Sequence, residues 1–125
     1  MTERRRRERL PFIRMGARIR VRRHLFTNRW LDVAVRDFSR MGMAIIAEQE
    51  FEEGDIIQFS LRLDTEVGDI TVKQALGVVR NARVDDEGTI YGIEFAGDQR
   101  PSVTESLSRI ESVLSRFRAV SERMR

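Results

Sequence analysis

Apolar and polar residues alternate with period two along much of this 125-residue chain, which is the pattern of β-strands with one buried face. The most regular run is Ile57 to Leu63, where apolar residues alternate with Gln58, Ser60 and Arg62. The predicted strands cover, in chain order, residues 17–22, 30–37, 43–47, 57–63, 70–84 and 91–95. Six short strands with short connections predict a closed or nearly closed antiparallel β-barrel, because closure removes exposed strand edges.

Glycines and acidic runs separate the predicted strands and mark their turns. The run Asp85-Asp86-Glu87-Gly88 favours a hairpin between the last two strands. In the second strand, Val33 and Val35 are expected to face inward. In the long fifth strand, we expect a β-bulge at Gly77, because a glycine inside a strand often marks one.

The spacing of apolar residues changes after Pro101. Five apolar residues recur at intervals of three and four: Val103, Leu107, Ile110, Leu114 and Phe117. This stripe predicts a helix to about residue 122, and Ser102 followed by Glu105 predicts an N-cap with a capping box. The stripe either packs on the barrel or forms a dimer seam, since the same spacing suits a short coiled coil.

We expect three segments: a flexible basic arm over residues 1–13, a barrel over 14–98 and a helix packed on it over 101–123. The length suffices for one domain with its own core. The absence of cysteine excludes disulfides, thiolate zinc sites and cysteine nucleophiles. The longest uncharged stretch, Met41 to Ala47, is too short to cross a bilayer. With no signal-peptide pattern behind the first arginines, we expect a cytoplasmic protein without membrane insertion.

Charge is distributed unevenly along the chain. Residues 1–40 carry 13 arginines and four acidic residues, whereas residues 41–125 carry ten basic and 16 acidic residues. A basic arm on an acidic body indicates either an anionic partner for the arm or attraction between arm and body.

Few residues suit catalysis. The one histidine, His24, lies beside Arg22-Arg23 in a predicted loop, where a surface role is expected. No spaced cluster of histidines or carboxylates predicts a metal site, and the eight glycines form no phosphate-binding loop. The sequence therefore predicts no enzyme, no catalytic residue, no metal and no cofactor.

The most informative segment is Asp37-Phe38-Ser39-Arg40-Met41-Gly42, at the end of the second predicted strand. Residues two apart on a strand share a face, so Asp37 and Ser39 are expected side by side. Gly42 permits a tight turn and the close approach of a ligand. A carboxylate can accept two hydrogen bonds from the Watson–Crick edge of guanine, but the same residues would also form an Asx- or ST-turn at the strand end.

With these residues the chain resembles the PilZ family, which pairs an amino-terminal RxxxR with a later DxSxxG on a six-stranded barrel with a carboxyl-terminal helix. Asp37, Ser39 and Gly42 match the second motif. The RxxxR pattern occurs four times, and only Arg5 with Arg9 lies in the arm ahead of the first strand. Two later segments, 77–79 and 91–95, are similar to the family's last two strands.

The resemblance implies a receptor for the second messenger cyclic di-GMP, which is a ligand and not a cofactor. It implies that Arg5 and Arg9 bind phosphate oxygens or guanine edges, as planar arginine side chains can. Asp37 and Ser39 would hold a guanine edge, and Gly42 would leave room for it.

Two further arginines enter the expected site through the same resemblance. Arg4, just before the motif, would add a contact compatible with a stacked pair of ligand molecules. Arg80 falls where some relatives carry an aromatic residue that packs on a base, and it would either stack there or remain solvated.

The implied mechanism is a change of shape. A ligand that bridges arm and barrel would order the arm, offset the entropy lost, and present a new surface to an unidentified effector protein. Two other hypotheses stay open: an adaptor that works only through protein contacts, and a nucleic-acid-binding barrel whose Arg18, Arg20 and Arg22 contact phosphates. A monomer and a homodimer are both compatible with the sequence.

Overall fold

The computed structural model describes residues 13–21 and 29–123, which form six antiparallel strands followed by a helix. The elements are β1 (Ile13–Val21), β2 (Leu31–Phe38), β3 (Gly42–Ala47), β4 (Ile56–Thr65), β5 (Gly68–Asp85), β6 (Gly88–Phe95) and α1 (Pro101–Arg123). The predicted site residues Arg4, Arg5 and Arg9, and also His24, lie outside this described part of the chain.

The six strands close into a barrel in the order β1-β2-β3-β6-β5-β4. The closing pair is β1 with β4, which are antiparallel along the whole of β1, from Ile13 opposite Thr65 to Val21 opposite Ile57. The predicted six-stranded antiparallel β-barrel is therefore confirmed.

The interior holds the apolar residues that the alternation assigned to it. In β4, Ile57, Phe59, Leu61 and Leu63 are at most 2% exposed. The ring of Phe95 lies 4.8 Å from that of Phe59 and stacks on it, which joins β6 to β4 across the core. Because burial of a large apolar side chain contributes about 1.5–3 kcal/mol, this set fixes which face of each strand points inward.

Three β-bulges interrupt the alternation, each by one extra residue. In β2 the register shifts between Val35 and Asp37, which makes Arg36 the extra residue. In β5 it shifts at Arg80 and again at Lys73–Gln74, where Gln74 has a left-handed φ of 58°.

The prediction of a bulge at Gly77 is wrong. Gly77 stays in register between Ile57 of β4 and Phe95 of β6. A Cβ atom on Gly77 would lie 2.8 Å from a methyl carbon of Ile93, so the glycine is explained by close packing and not by a change of register.

The helix begins at Pro101, and the prediction of Ser102 as its N-cap is wrong by two residues. The carbonyl of Arg100 accepts hydrogen bonds from the amides of Val103 (2.9 Å) and Thr104 (3.1 Å), so Arg100 is the N-cap residue. Pro101 then occupies the first helical position, where a missing N–H leaves no hydrogen bond unmade.

The apolar stripe of α1 faces the barrel. Val103, Leu107 and Ile110 are at most 4% exposed and belong to the same buried cluster as the barrel interior, and Leu114 packs against it. Just before the helix, the side-chain amide of Gln99 donates to the carbonyl of Leu76 and accepts from its amide. Within the described residues, no helix is long and apolar enough to cross a membrane.

The contribution of the helix to the core can be measured at Ile110, which is fully buried. We expect Ile110→Ala to lower the free energy of unfolding by about 2–5 kcal/mol, because it removes buried methylenes and leaves a cavity. The exposed neighbour Arg109 is the matched control, and Arg109→Ala should change the value by less than about 0.5 kcal/mol in urea unfolding. Equal effects of the two substitutions would contradict the packing of α1 on the barrel.

Candidate functional site

An open cavity of about 580 Å³ lies on the outer face of β3 and β6, between β2 and β5 and beside the second half of α1. Among the residues that line it are Asp37, Ser39, Gly42 and Arg80. The structure thus brings together every predicted site residue that lies within its described part. A larger cavity, about 720 Å³ between the β4–β5 turn and α1, contains none of them.

Two of the three bulges flank this cavity and determine which polar side chains face it. The extra residue in β2 leaves both Arg36 and Asp37 exposed, and the extra residue in β5 does the same for Arg80 and Asn81. A regular strand would turn one residue of each pair into the core. The bulges therefore place Asp37 on one side of the cavity and the Arg80–Asn81 pair on the other.

The segment from Ser39 to Gly42 is a tight turn between β2 and β3. The amide of Ser39 donates to the carbonyl of Gly42 at 2.9 Å, and the hydroxyl of Ser39 accepts from the amide of Met41 at 3.1 Å. The carboxylate of Asp37 accepts from the amide of Phe38 at 2.9 Å. These bonds orient both side chains, and the hydroxyl proton of Ser39 stays available as a donor.

Gly42 is required by the barrel itself. A Cβ atom at this position would collide with the carbonyl oxygen of Ile93 on the neighbouring strand. The glycine therefore lets β3 pair closely with β6, and its bare backbone also forms part of the cavity lining.

The floor of the cavity consists of small residues. Ala44 of β3 lies opposite Gly92 of β6, and Gly42 lies opposite Glu94. The side chain of Asn81 covers Gly92, since its amide atoms lie 2.6–3.1 Å from where a Cβ atom would be. The result is a shallow surface with an amide group at one side, open to a flat ligand.

The described residues around the cavity carry more negative than positive charge. Asp37, Glu94 and Glu111 are acidic, and Arg80 is the basic residue among them. Arg80 donates from Nε to Glu94 at 2.5 Å, and both side chains are more than half exposed. A doubly negative ligand would therefore need cations from elsewhere.

The turn also contacts the helix. The backbone amide of Arg40 donates to the carboxylate of Glu111 at 3.1 Å, and Leu114 and Ser115 of α1 line the same cavity. A ligand that moves the turn would therefore act directly on α1.

The extra residue of the β2 bulge, Arg36, forms an ion-pair cluster. Arg36 contacts Asp85 at 3.3 Å and Glu87 at 3.0 Å in the β5–β6 turn. The amide of Glu87, followed by Arg36, lowers the pKa of Asp85, although burial opposes this. Because its folded-state pKa is lowered, the Asp85 carboxylate stabilises the fold above its unfolded pKa, and this contribution is lost as the pH falls through the folded-state pKa.

Sequence reasoning missed Asn81, Glu94 and Glu111 as parts of this site. Asn81 carried a signal, because Arg80-Asn81 are two consecutive polar residues between Val79 and Ala82 and break the alternation. Glu111 carried none, because its approach to the turn depends on how α1 packs. Among the described residues, no group of three or more histidine, aspartate or glutamate side chains could hold a metal ion.

Comparison with known protein families agrees with this geometry. The family model described as "PilZ domain" matches residues 3–110, which is well over half of the chain. A comparison with the curated proteins found no match.

The steric effect of a Cβ atom at Gly42 can be separated from the general effect of replacing a strand glycine by alanine. We expect Gly42→Ala to lower the free energy of unfolding by about 1–3 kcal/mol, because the added methyl forces β3 away from β6. Gly16→Ala is the control, since a Cβ atom there meets nothing within 4 Å and alanine suits a strand at least as well. Urea unfolding should separate the two variants, and equal values would contradict the close approach at Gly42.

Proposed function

The chain belongs to the PilZ domain family, and from this premise we propose that it is a receptor that binds cyclic di-GMP in the cavity between the two bulges. The family is one of binding and adaptor domains and not of catalysts, and we propose no reaction for this chain. The observation that carries the proposal is the convergence of Asp37, Ser39, Gly42 and Arg80 on one cavity.

The cavity suits a flat nucleotide in size and shape. Its volume of about 580 Å³ lies within the range of about 300–1,000 Å³ that is usual for ligand pockets. Gly42 and Ala44 of β3 leave that part of its floor without long side chains, whereas Asn81 covers Gly92 on β6. A guanine base could therefore lie against the backbone of β3, beside the amide group of Asn81.

The polar groups at the cavity fit a guanine edge. The carboxylate of Asp37 is exposed and can accept from the N1–H and N2–H₂ groups of guanine. The hydroxyl of Ser39, held by the amide of Met41, can donate to a ring nitrogen or a phosphate oxygen. Arg80 is tied to Glu94 but exposed, so its guanidinium plane can stack on a base once that pair opens.

The charge of the cavity explains why the arm is needed. With three carboxylates and one guanidinium among its described residues, the cavity alone would repel two phosphates. Arg4, Arg5 and Arg9 supply three positive charges from the amino-terminal segment. The ligand would therefore be held between the carboxylates, which bind base edges, and the arginines, which bind phosphates.

The distance from the barrel to Arg9 permits this arrangement. β1 begins at Ile13 and is antiparallel to β2, which ends at Phe38, so the start of β1 and the Asp37 end of β2 lie at the same end of the barrel. Arg9 precedes Ile13 by four residues, and an extended chain of four residues spans about 13 Å. An arm of this length would let Arg9 approach the ligand while β1 keeps its pairing with β4.

Binding would change two surfaces of the protein, one at the arm and one at α1. A ligand that orders the arm creates a new surface at the start of β1. A ligand that moves the turn also alters the hydrogen bond from Arg40 to Glu111 and so the position of α1. An effector protein would recognise one or both of these surfaces.

The test is calorimetric titration of cyclic di-GMP into the full chain and its variants. We expect saturable, selective binding that is weaker by about 100-fold or more in Arg9→Ala and in Asp37→Ala, because each change removes charge-assisted hydrogen bonds. The measured stoichiometry would distinguish one ligand from a stacked pair. GTP and a short single-stranded oligonucleotide should give no comparable heat.

The matched controls are Asp32→Ala, an exposed aspartate on the same strand as Asp37, and Arg83→Ala on β5. Both should bind the ligand as the parent chain does. Unchanged affinity in Arg9→Ala and Asp37→Ala would refute the assignment of these residues. Lack of any binding by the folded parent chain would refute the receptor hypothesis and favour the adaptor that works through protein contacts alone.

A further inference from the structure

A second polar surface lies on the opposite side of the barrel, on the outer face of β1. In the strand order, β1 is three strands away from β6, so this surface is separate from the cavity. Its centre is formed by Arg18 and Arg20, whose neighbours on β4 are Ser60 and Gln58. We call Arg18, Arg20 and Trp30 the arginine–tryptophan surface.

Arg20 is held in a fixed orientation at this surface. Its Nε donates to the side chain of Gln58 at 2.8 Å, and its guanidinium carbon lies 4.6 Å from the ring centroid of Trp30. The contact with the ring and the hydrogen bond restrict the guanidinium from two sides. Because its Nε is already bound to Gln58, the two terminal nitrogen atoms are the donors that Arg20 can offer to a ligand.

Arg18 adds a second positive charge beside the first. Two residues along a strand are about 6.8 Å apart on the same face. Arg18 lies 5.9 Å from the ring of Trp30, and its contact with Asp32 is long, at 3.7 Å, between two largely exposed side chains. Among the described residues, no carboxylate pairs with Arg20, so the surface has an excess of positive charge.

The surface beside Arg18 carries small residues. Gly16 is the next outward residue of β1, and a Cβ atom there would meet nothing within 4 Å. Ala34 of β2 is exposed at the same level. The small residues leave space for the backbone of an extended chain beside Arg18.

We propose that the arginine–tryptophan surface binds a short acidic peptide segment of a partner protein, with two carboxylates at alternate positions paired to Arg18 and Arg20. Alternate side chains of an extended peptide have the same spacing as alternate side chains of β1. Each guanidinium can receive one carboxylate bidentately. This function uses none of the residues of the cyclic di-GMP cavity and stands without it.

A polynucleotide fits the surface less well. A nucleic acid carries negative charge uniformly along its length, but Asp32 borders the arginines on one side. Arg62, farther along the face, is already paired with Asp64 at 2.7 Å and Asp69 at 2.8 Å. Moreover, Arg20 already lies over the ring of Trp30, which leaves the ring less available for a base.

The test uses a fluorescein-labelled decapeptide of alternating Glu and Thr, with a Gln/Thr peptide as its uncharged match. Binding is followed by anisotropy at about 50 mM salt, where exposed charges are weakly screened, and by the emission of Trp30, the only tryptophan in the chain. We expect saturable binding of the Glu peptide and roughly tenfold or greater weakening in the Arg18→Gln/Arg20→Gln double variant.

Three single variants make the test specific. Gly16→Leu should obstruct the peptide beside Arg18 without disturbing the barrel, because the space above Gly16 is open. Asp32→Ala should strengthen binding, because it removes the carboxylate nearest Arg18. Arg83→Gln on β5 should leave the affinity unchanged.

The proposal is overturned if the folded parent chain does not bind the Glu peptide. It is also overturned if the Gln peptide binds equally, or if the double variant keeps its affinity. Tighter binding of a 15-residue oligothymidylate, or of phosphatidylglycerol vesicles, that is lost in the double variant would assign the surface to a nucleic acid or a membrane instead.

Discussion

The two β-bulges at Arg36 and Arg80 decide where the polar side chains of this barrel point. In a closed barrel every strand is paired on both sides, so a strand can change which residues face outward only by inserting an extra residue. Each of these bulges brings two consecutive polar residues to the surface, Arg36 with Asp37 and Arg80 with Asn81. They stand on either side of the β3–β6 pair, whose small outward residues form the cavity floor. The site is thus a consequence of how the barrel closes.

Because of the charge of the cavity, the proposed receptor needs both the barrel and the amino-terminal arginines to bind its ligand. The described lining is acidic, which suits the hydrogen-bond donors of guanine but repels the phosphates of cyclic di-GMP. Arginines from the amino-terminal segment would supply the positive charge that the phosphates of the ligand need. The turn between Ser39 and Gly42 connects the same cavity to α1 through Arg40 and Glu111. Binding, ordering of the arm and a shift of the helix would then be one coupled event.

Much of the fold follows from the sequence, because alternation along six strands and a stripe on one helix leave few other ways to bury the apolar residues. The three bulges were not predicted, although each coincides with a break in the alternation of polar and apolar residues. The breaks are the polar pairs Arg36-Asp37, Lys73-Gln74 and Arg80-Asn81. The N-cap was misplaced because a proline at the first helical position outweighed a serine cap one residue later. Asp37, Ser39, Gly42 and Arg80 came from motif resemblance, whereas Glu111 depends on tertiary packing that no local pattern encodes.

The central claim is that cyclic di-GMP binds between the two bulges, and mapping of backbone amide shifts in the ¹⁵N-labelled full chain tests it most directly. On addition of the ligand, we expect shifts at Ser39, Met41, Asn81 and Gly92, with further shifts at Glu111 and in the first ten residues. Amides on the outer face of β1, such as Arg18 and Arg20, should remain unchanged. Shifts centred on β1, or none near the cavity at saturating ligand, would contradict it.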